Sequence, residues 1–103
     1  MQIETLNERV SCSDAQARLL VFDPSVIQSV LLQNVTGGQT VEIGQQGVEY
    51  GAGYPITAGS SLAITWQDFA PEVRARGPQM VEIWGICSAG LTTTVQVFGF
   101  ARR

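Results

Sequence analysis

The chain predicts an all-β fold: a single antiparallel β-sandwich, jelly-roll or immunoglobulin-like, of about seven to eight short strands. Three observations carry this. Apolar and polar residues alternate with period two along most of the chain, turn-forming residues fall between the alternating runs, and apolar residues at helical spacing are sustained nowhere. At 103 residues the chain has the size of one domain and no room for a second core, so residues 1–103 read as one module.

In order along the chain, residues 1–14 place Ile3, Leu6 and Val10 in neither period and read as an N-terminal arm or a first strand. Strands are expected over Gln16 to Phe22, Val26 to Asn34, Thr40 to Gly44, Gly47 to Tyr50, Ser61 to Trp66, Met80 to Ile86 and Thr92 to Phe100. In Val41-Glu42-Ile43 and in Val81-Glu82-Ile83-Trp84 one face is apolar and glutamate points the other way, the mark of a sheet with one wet face. This assigns Trp84 to the core and Glu42 and Glu82 to solvent. Asp23-Pro24, Gly37-Gly38, Gly44 to Gly47, Gly51 to Gly53, Ala58 to Ser60 and Ala89-Gly90 supply the turns. Gln67 to Ala75 is compatible with a short helical turn ended by Gly77-Pro78.

Composition limits the chemistry. Hydrophobic residues make up 45% and charged residues only 15%, against roughly 25% charged in an average soluble domain. Much of the surface is therefore neutral polar or covered by partners. The basic residues are all arginine, they form no run, and the net charge is -3, which argues against a nucleic-acid partner. With neither histidine nor lysine, no Ser-His-Asp, Cys-His or Ser-Lys arrangement can be assembled, and the chain is not expected to be an enzyme. Glu42, Glu49, Asp68, Glu72 and Glu82 show no spacing of a catalytic carboxylate pair, no acidic loop resembles a calcium site, and Gly51-Ala52-Gly53 opens no helix that would cradle phosphate. No metal or cofactor is expected.

Cys12 and Cys87 fit no CxxC-type pattern and read as two reduced thiols, with a disulfide between an early and a late strand as the alternative. Asn34-Val35-Thr36 matches a glycosylation triplet, but the first residues carry Glu4, Glu8, Arg9 and Asp14 where a secretory signal would be apolar. The least charged stretches are broken by Gln, Asn, Ser and Thr, so no membrane helix is expected and the protein is expected to be soluble.

Binding residues are sought in the longest connection, Gln67 to Gln79, because long loops on rigid β scaffolds often carry recognition. Phe69 and Val73 either cap one end of the sandwich or meet a partner, with Arg74 and Arg76 beside them. Trp66 adjoins this loop, and the Arg102-Arg103 tail is either solvated or reaches an acidic neighbour. The partner-contact candidates are therefore Trp66, Phe69, Val73, Arg74, Arg76, Arg102 and Arg103.

Four segments carry a resemblance: Ser29-Val30-Leu31-Leu32-Gln33-Asn34; Thr40-Val41-Glu42-Ile43-Gly44; Gly53-Tyr54-Pro55-Ile56-Thr57-Ala58-Gly59-Ser60-Ser61-Leu62; and Thr94-Val95-Gln96-Val97-Phe98. Across residues 26–100 this succession of strands and turns resembles small virion proteins of tailed bacteriophages, the capsid decoration, cement or head-accessory proteins. The resemblance implies a β-sandwich on the capsid surface, assembled in the host cytoplasm, that binds the major capsid protein and copies of itself as a dimer or trimer. The chain departs from an easy assignment in having no distinctive capsid-binding motif. The alternative is a carbohydrate- or receptor-binding module of a head fibre or tail, with Trp66, Tyr50, Tyr54 or Phe69 as stacking surfaces.

Overall fold

The computed structural model describes residues 3–68, 71, 74 and 80–102. Eight strands form: β1 (Ile3–Cys12), β2 (Ala17–Phe22), β3 (Ile27–Asn34), β4 (Val41–Gly44), β5 (Tyr54–Ile56), β6 (Ser61–Thr65), β7 (Val81–Ile86) and β8 (Thr93–Arg102). They make two four-stranded antiparallel sheets in the orders β1-β8-β3-β6 and β2-β7-β4-β5. The all-β sandwich expected from the alternation is what the chain adopts.

The strand order decides between the two expected architectures. Four of the pairings, β1 with β8, β2 with β7, β3 with β6 and β4 with β5, nest inside one another, as if one long hairpin had been rolled up. Pairing of β3 with β8 and of β4 with β7 then closes each sheet. This is the jelly roll and not the immunoglobulin arrangement.

The period-two pattern explains the packing. Val95 and Val97 on β8 and Val30 and Leu32 on β3 point inward and are buried, as are Val41 and Ile43 on β4 and Ile83 on β7 in the other sheet. A bulge in β2 between Arg18 and Leu20 puts Leu19 in the core with Leu20 packed beside it. Burying each such side chain contributes on the order of 1.5–3 kcal/mol.

The structure revises several expectations. Of the two readings of the N-terminal segment, the first strand holds: Ile3–Cys12 is an edge strand, β1. Gly47 to Tyr50 is loop instead of strand, because Gly47 (φ 92°) and Gly51 (φ 99°) turn the chain on either side of it. On its outer side β4 pairs with Tyr54–Ile56, where no strand was expected. Proline is tolerated there because β5 is the edge of its sheet. Asp23-Pro24 turns as expected, its carboxylate accepting the Ser25 amide at 3.0 Å. Trp66–Asp68 is a 3-10 helix, and Pro71 and Arg74 have helical backbone. The rest of the expected helical turn lies outside the described residues. Among these residues no helix is long and apolar enough to cross a membrane.

One buried polar cluster fastens the two sheets. Asn34, fully buried at the end of β3, donates through Nδ2 to the carbonyls of Gln39 (2.6 Å) and Ile56 (2.9 Å), and its Oδ1 accepts the Thr93 hydroxyl at 2.6 Å. The Asn34 amide is thus consumed inside the protein and is closed to a glycan in the folded state. Gly38 leaves room for the Thr93 hydroxyl: a Cβ there would stand 2.2 Å from its Oγ1. Asn34→Ala strands two carbonyls and a hydroxyl in the core, so it should cost about 3 kcal/mol, while Thr93→Val should cost about 1 kcal/mol. Urea unfolding of both variants checks this; a loss below about 1 kcal/mol for Asn34→Ala would remove the cluster's structural importance.

Candidate functional site

The register gathers the chain's loops at two ends. Thr65 lies opposite Ser29 and Ala101 opposite Ile27, so the start of β3, the end of β6 and the end of β8 share one end. Trp66, Arg74 and Arg102 therefore occupy positions at the same end of the sandwich. Arg74 is half-buried, and its Nη1 donates to Gln67 Oε1 at 3.0 Å. Arg102 closes β8 opposite Ile3. The side chains of Trp66 and Arg102, and all of Phe69, Val73, Arg76 and Arg103, lie outside the described residues. The expected cluster is thus placed by backbone position only.

The same end carries the β4–β5 loop, which presents Tyr50 and Tyr54, both exposed. Its geometry corrects the reading of Glu42 as a solvated residue. Glu42 is buried, and its Oε1 accepts the backbone amides of Gly51 (2.8 Å) and Gly53 (2.9 Å). Glu42 does point away from the core, as the alternation requires, but the loop folds over it and uses the carboxylate as its anchor. Tyr54 and Val48 line a hollow of about 410 Å³ in this loop.

Trp84 requires a second correction. Ile83, Gly85 and Cys87 face the core, so Trp84 stands on the outer face of β2-β7-β4-β5, half-buried, opposite Arg18 on β2 and Gly44 on β4. Its indole N–H donates to Glu82 Oε2 at 3.1 Å, and the other Glu82 oxygen lies 3.8 Å from Arg18. Such an exposed ion pair contributes little stability; the hydrogen bond ties the indole to its own strand.

An exposed aromatic patch lies on the opposite side of the molecule. Because Val95 and Val97 point inward, Phe98 and Phe100 point out from the β1-β8-β3-β6 sheet, 39% and 54% exposed. Their rings meet edge to face, centroids 5.6 Å apart and planes at 76°. Leu31, 37% exposed, is the cross-strand neighbour of Phe98 and is itself flanked by Ala63 on β6. Polar neutral residues rim this patch: Thr5 and Asn7 on β1, Ser29 and Gln33 on β3, Ser61 on β6. Arg9 Nε donates to Gln96 Oε1 at 2.9 Å, and Gln96 Nε2 in turn donates to Asn7 Oδ1. Scattered exposed leucines are ordinary, but contiguous aromatics on a flat, sparsely charged sheet have the composition of a protein contact. The sequence reading placed a strand here and missed the face. The signal was available in parity: Phe98 and Phe100 share theirs with Thr94 and Gln96, not with Val95 and Val97.

Among the described residues no group of three His, Cys, Asp or Glu side chains could hold a metal ion. Cys12 and Cys87 are free and buried, the Cys87 thiol 3.7 Å from the Cys12 carbonyl oxygen. Burial, reinforced by the nearby Cys87, pushes the Cys12 thiol up to about 11 from 9.0, and burial raises Cys87 as well. Both are thereby held in the thiol form, the opposite of an activated nucleophile. No protein-family model matches the chain, and no curated protein matches it.

The thiols set a pH limit. A folded-state pKa above the unfolded value stabilises the fold fully below about pH 9, and that contribution is lost as pH rises toward 11. The unfolding free energy from urea titrations should hold up to pH 8 and fall by pH 10.5, at a slope of up to about 1.4 kcal/mol per pH unit from Cys12. Cys12→Ala should flatten the slope, and an equally steep fall in that variant would assign it to other groups.

Proposed function

We propose that the protein is a structural component of a phage virion, a decoration or cement protein that works by contact and not by chemistry. The observation that carries this is the exposed Phe98–Phe100–Leu31 face on a rigid jelly roll, a surface suited to another protein. Its partners in this reading are the shell of the major capsid protein and copies of itself. The virion assignment rests on the likeness of residues 26–100 to small phage head proteins, and the jelly roll is a fold that capsid domains use among many others. Repeated weak contacts on a symmetric shell add up through avidity, so no single deep pocket is needed.

A second reading draws on Tyr50 and Tyr54, exposed beside the hollow of the β4–β5 loop: a carbohydrate- or receptor-binding module of a fibre or tail.

Adding the protein to shells that lack it tests the first reading. It should co-sediment with them and raise their resistance to heat, and joint replacement Phe98→Ser and Phe100→Ser should lower its occupancy at least about tenfold, whether the face meets the shell directly or pairs copies whose two-point attachment supplies avidity. Failure to bind shells, with glycan binding lost on Tyr54→Ala, would replace this reading with the second.

A further inference from the structure

Resting on the reading of the aromatic sheet face as the working surface, we infer that a second copy of the chain covers it, the two β1-β8-β3-β6 sheets packing face to face about a two-fold axis. Area is the first argument. The four strands have ten, ten, eight and five residues. At about 3.3 Å per residue and about 4.8 Å between strands, the face spans on the order of 500 Å² in projection. With β8 of each copy laid on β3 of the other and β1 on the shorter β6, the overlap buries about 800 Å² in all, the size of a weak, transient interface and well short of the roughly 2,000 Å² of obligate dimers. The result is a dimer in exchange with monomer.

Charge is the second argument. The chain carries a net charge of -3, so two copies repel over much of their surface. Among the described side chains that point out from this face, Arg9 is the one that is charged, and Glu8 lies on the opposite side of β1. Here two copies meet without opposing carboxylates.

The relief of the face fits its own copy. An axis lying between the sheets and running along the strands, between β8 and β3, sets Phe98 of each copy on Leu31 of the other. Phe100 then lies over the register irregularity between Ile27 and Val30, where Ser29 is a small residue, and Arg9 lies over Ser61, so the two guanidinium groups do not meet. The contact is isologous and closes, as a two-fold dimer must. Its rim is already ordered by the Arg9–Gln96–Asn7 chain of hydrogen bonds, which lowers the entropy lost on association.

Sedimentation equilibrium of the intact chain over about 1 µM to 1 mM reads the association directly. The average mass should rise from one chain toward two. Phe98→Ser with Phe100→Ser should move the midpoint at least about tenfold higher, and so should Leu31→Glu, which sets a carboxylate against the other copy's Phe98. All three positions are exposed, so thermal melts at concentrations where the wild type is monomeric should stay close to wild type, and Leu31→Glu gives an independent answer if the serine variant misfolds. A chain that stays monomeric throughout, or a dimer unchanged by both variants, overturns the inference. The virion role fails separately. A dimer without affinity for shells refutes that role and leaves the second copy in place, whereas a monomer whose shell binding is lost on Phe98→Ser with Phe100→Ser refutes the second copy and keeps the face.

Discussion

Asn34 is the point on which the two layers depend. Apolar packing between sheets is non-directional and tolerates sliding, whereas a buried amide with every donor and acceptor occupied permits one arrangement. Its partners come from three parts of the chain: Gln39 in the connection to β4, Ile56 on the edge strand of the other sheet, and Thr93 at the start of β8. The cluster therefore fixes how far β3 slides along β8 and where β5 sits relative to both. The backbone of Asn34 adds to this, donating to Ser60 O at 2.9 Å and accepting from Gly59 N at 3.0 Å. With that end locked, the opposite end is free to carry longer loops.

The two outer faces are then very different surfaces on one scaffold. On β2-β7-β4-β5, the loop drawn down by Glu42 and the Glu82 contacts of Trp84 cover or tie the larger side chains to their own sheet. On β1-β8-β3-β6 the polar side chains are also tied to one another, but the aromatic ones are left standing out. A chain with so few charges has little means of keeping such a face soluble except by neutral polar neighbours or by a partner. That asymmetry, more than any single residue, sets the proposed contact face apart from a merely solvated one.

Much of the fold was legible because alternation and turn chemistry agree along most of the chain. β2, β3, β4, β6, β7 and β8 were anticipated to within a residue or two at most ends. What alternation could not give was phase where both phases are apolar. In Ile83-Trp84-Gly85-Ile86 either set could face the core, and the small Gly85 faces it while the large Trp84 does not. Burial of Glu42 was equally hidden, because its partners are backbone amides several residues further along the chain, a relation with no side-chain signature. The partner candidates around Trp66 were chosen by loop length, which says where variation is tolerated but not which surface is apolar. The aromatic face lay in the regular strand that such reasoning passes over.

The nested pairing of the strands also sets an order of assembly. Bringing β1 onto β8 from an open chain joins segments near its two ends, about 2 kcal/mol dearer in chain entropy than closing the β4–β5 hairpin. Zipping outward from that hairpin replaces one long closure by a series of short ones. The sheet bearing Phe98, Phe100 and Leu31 is built from the β3–β6 and β1–β8 pairs, so it is completed only when β8 slots between β1 and β3. A half-folded chain cannot display those side chains in their native spacing, so along that route the proposed contact surface is finished late, after much of the core has closed.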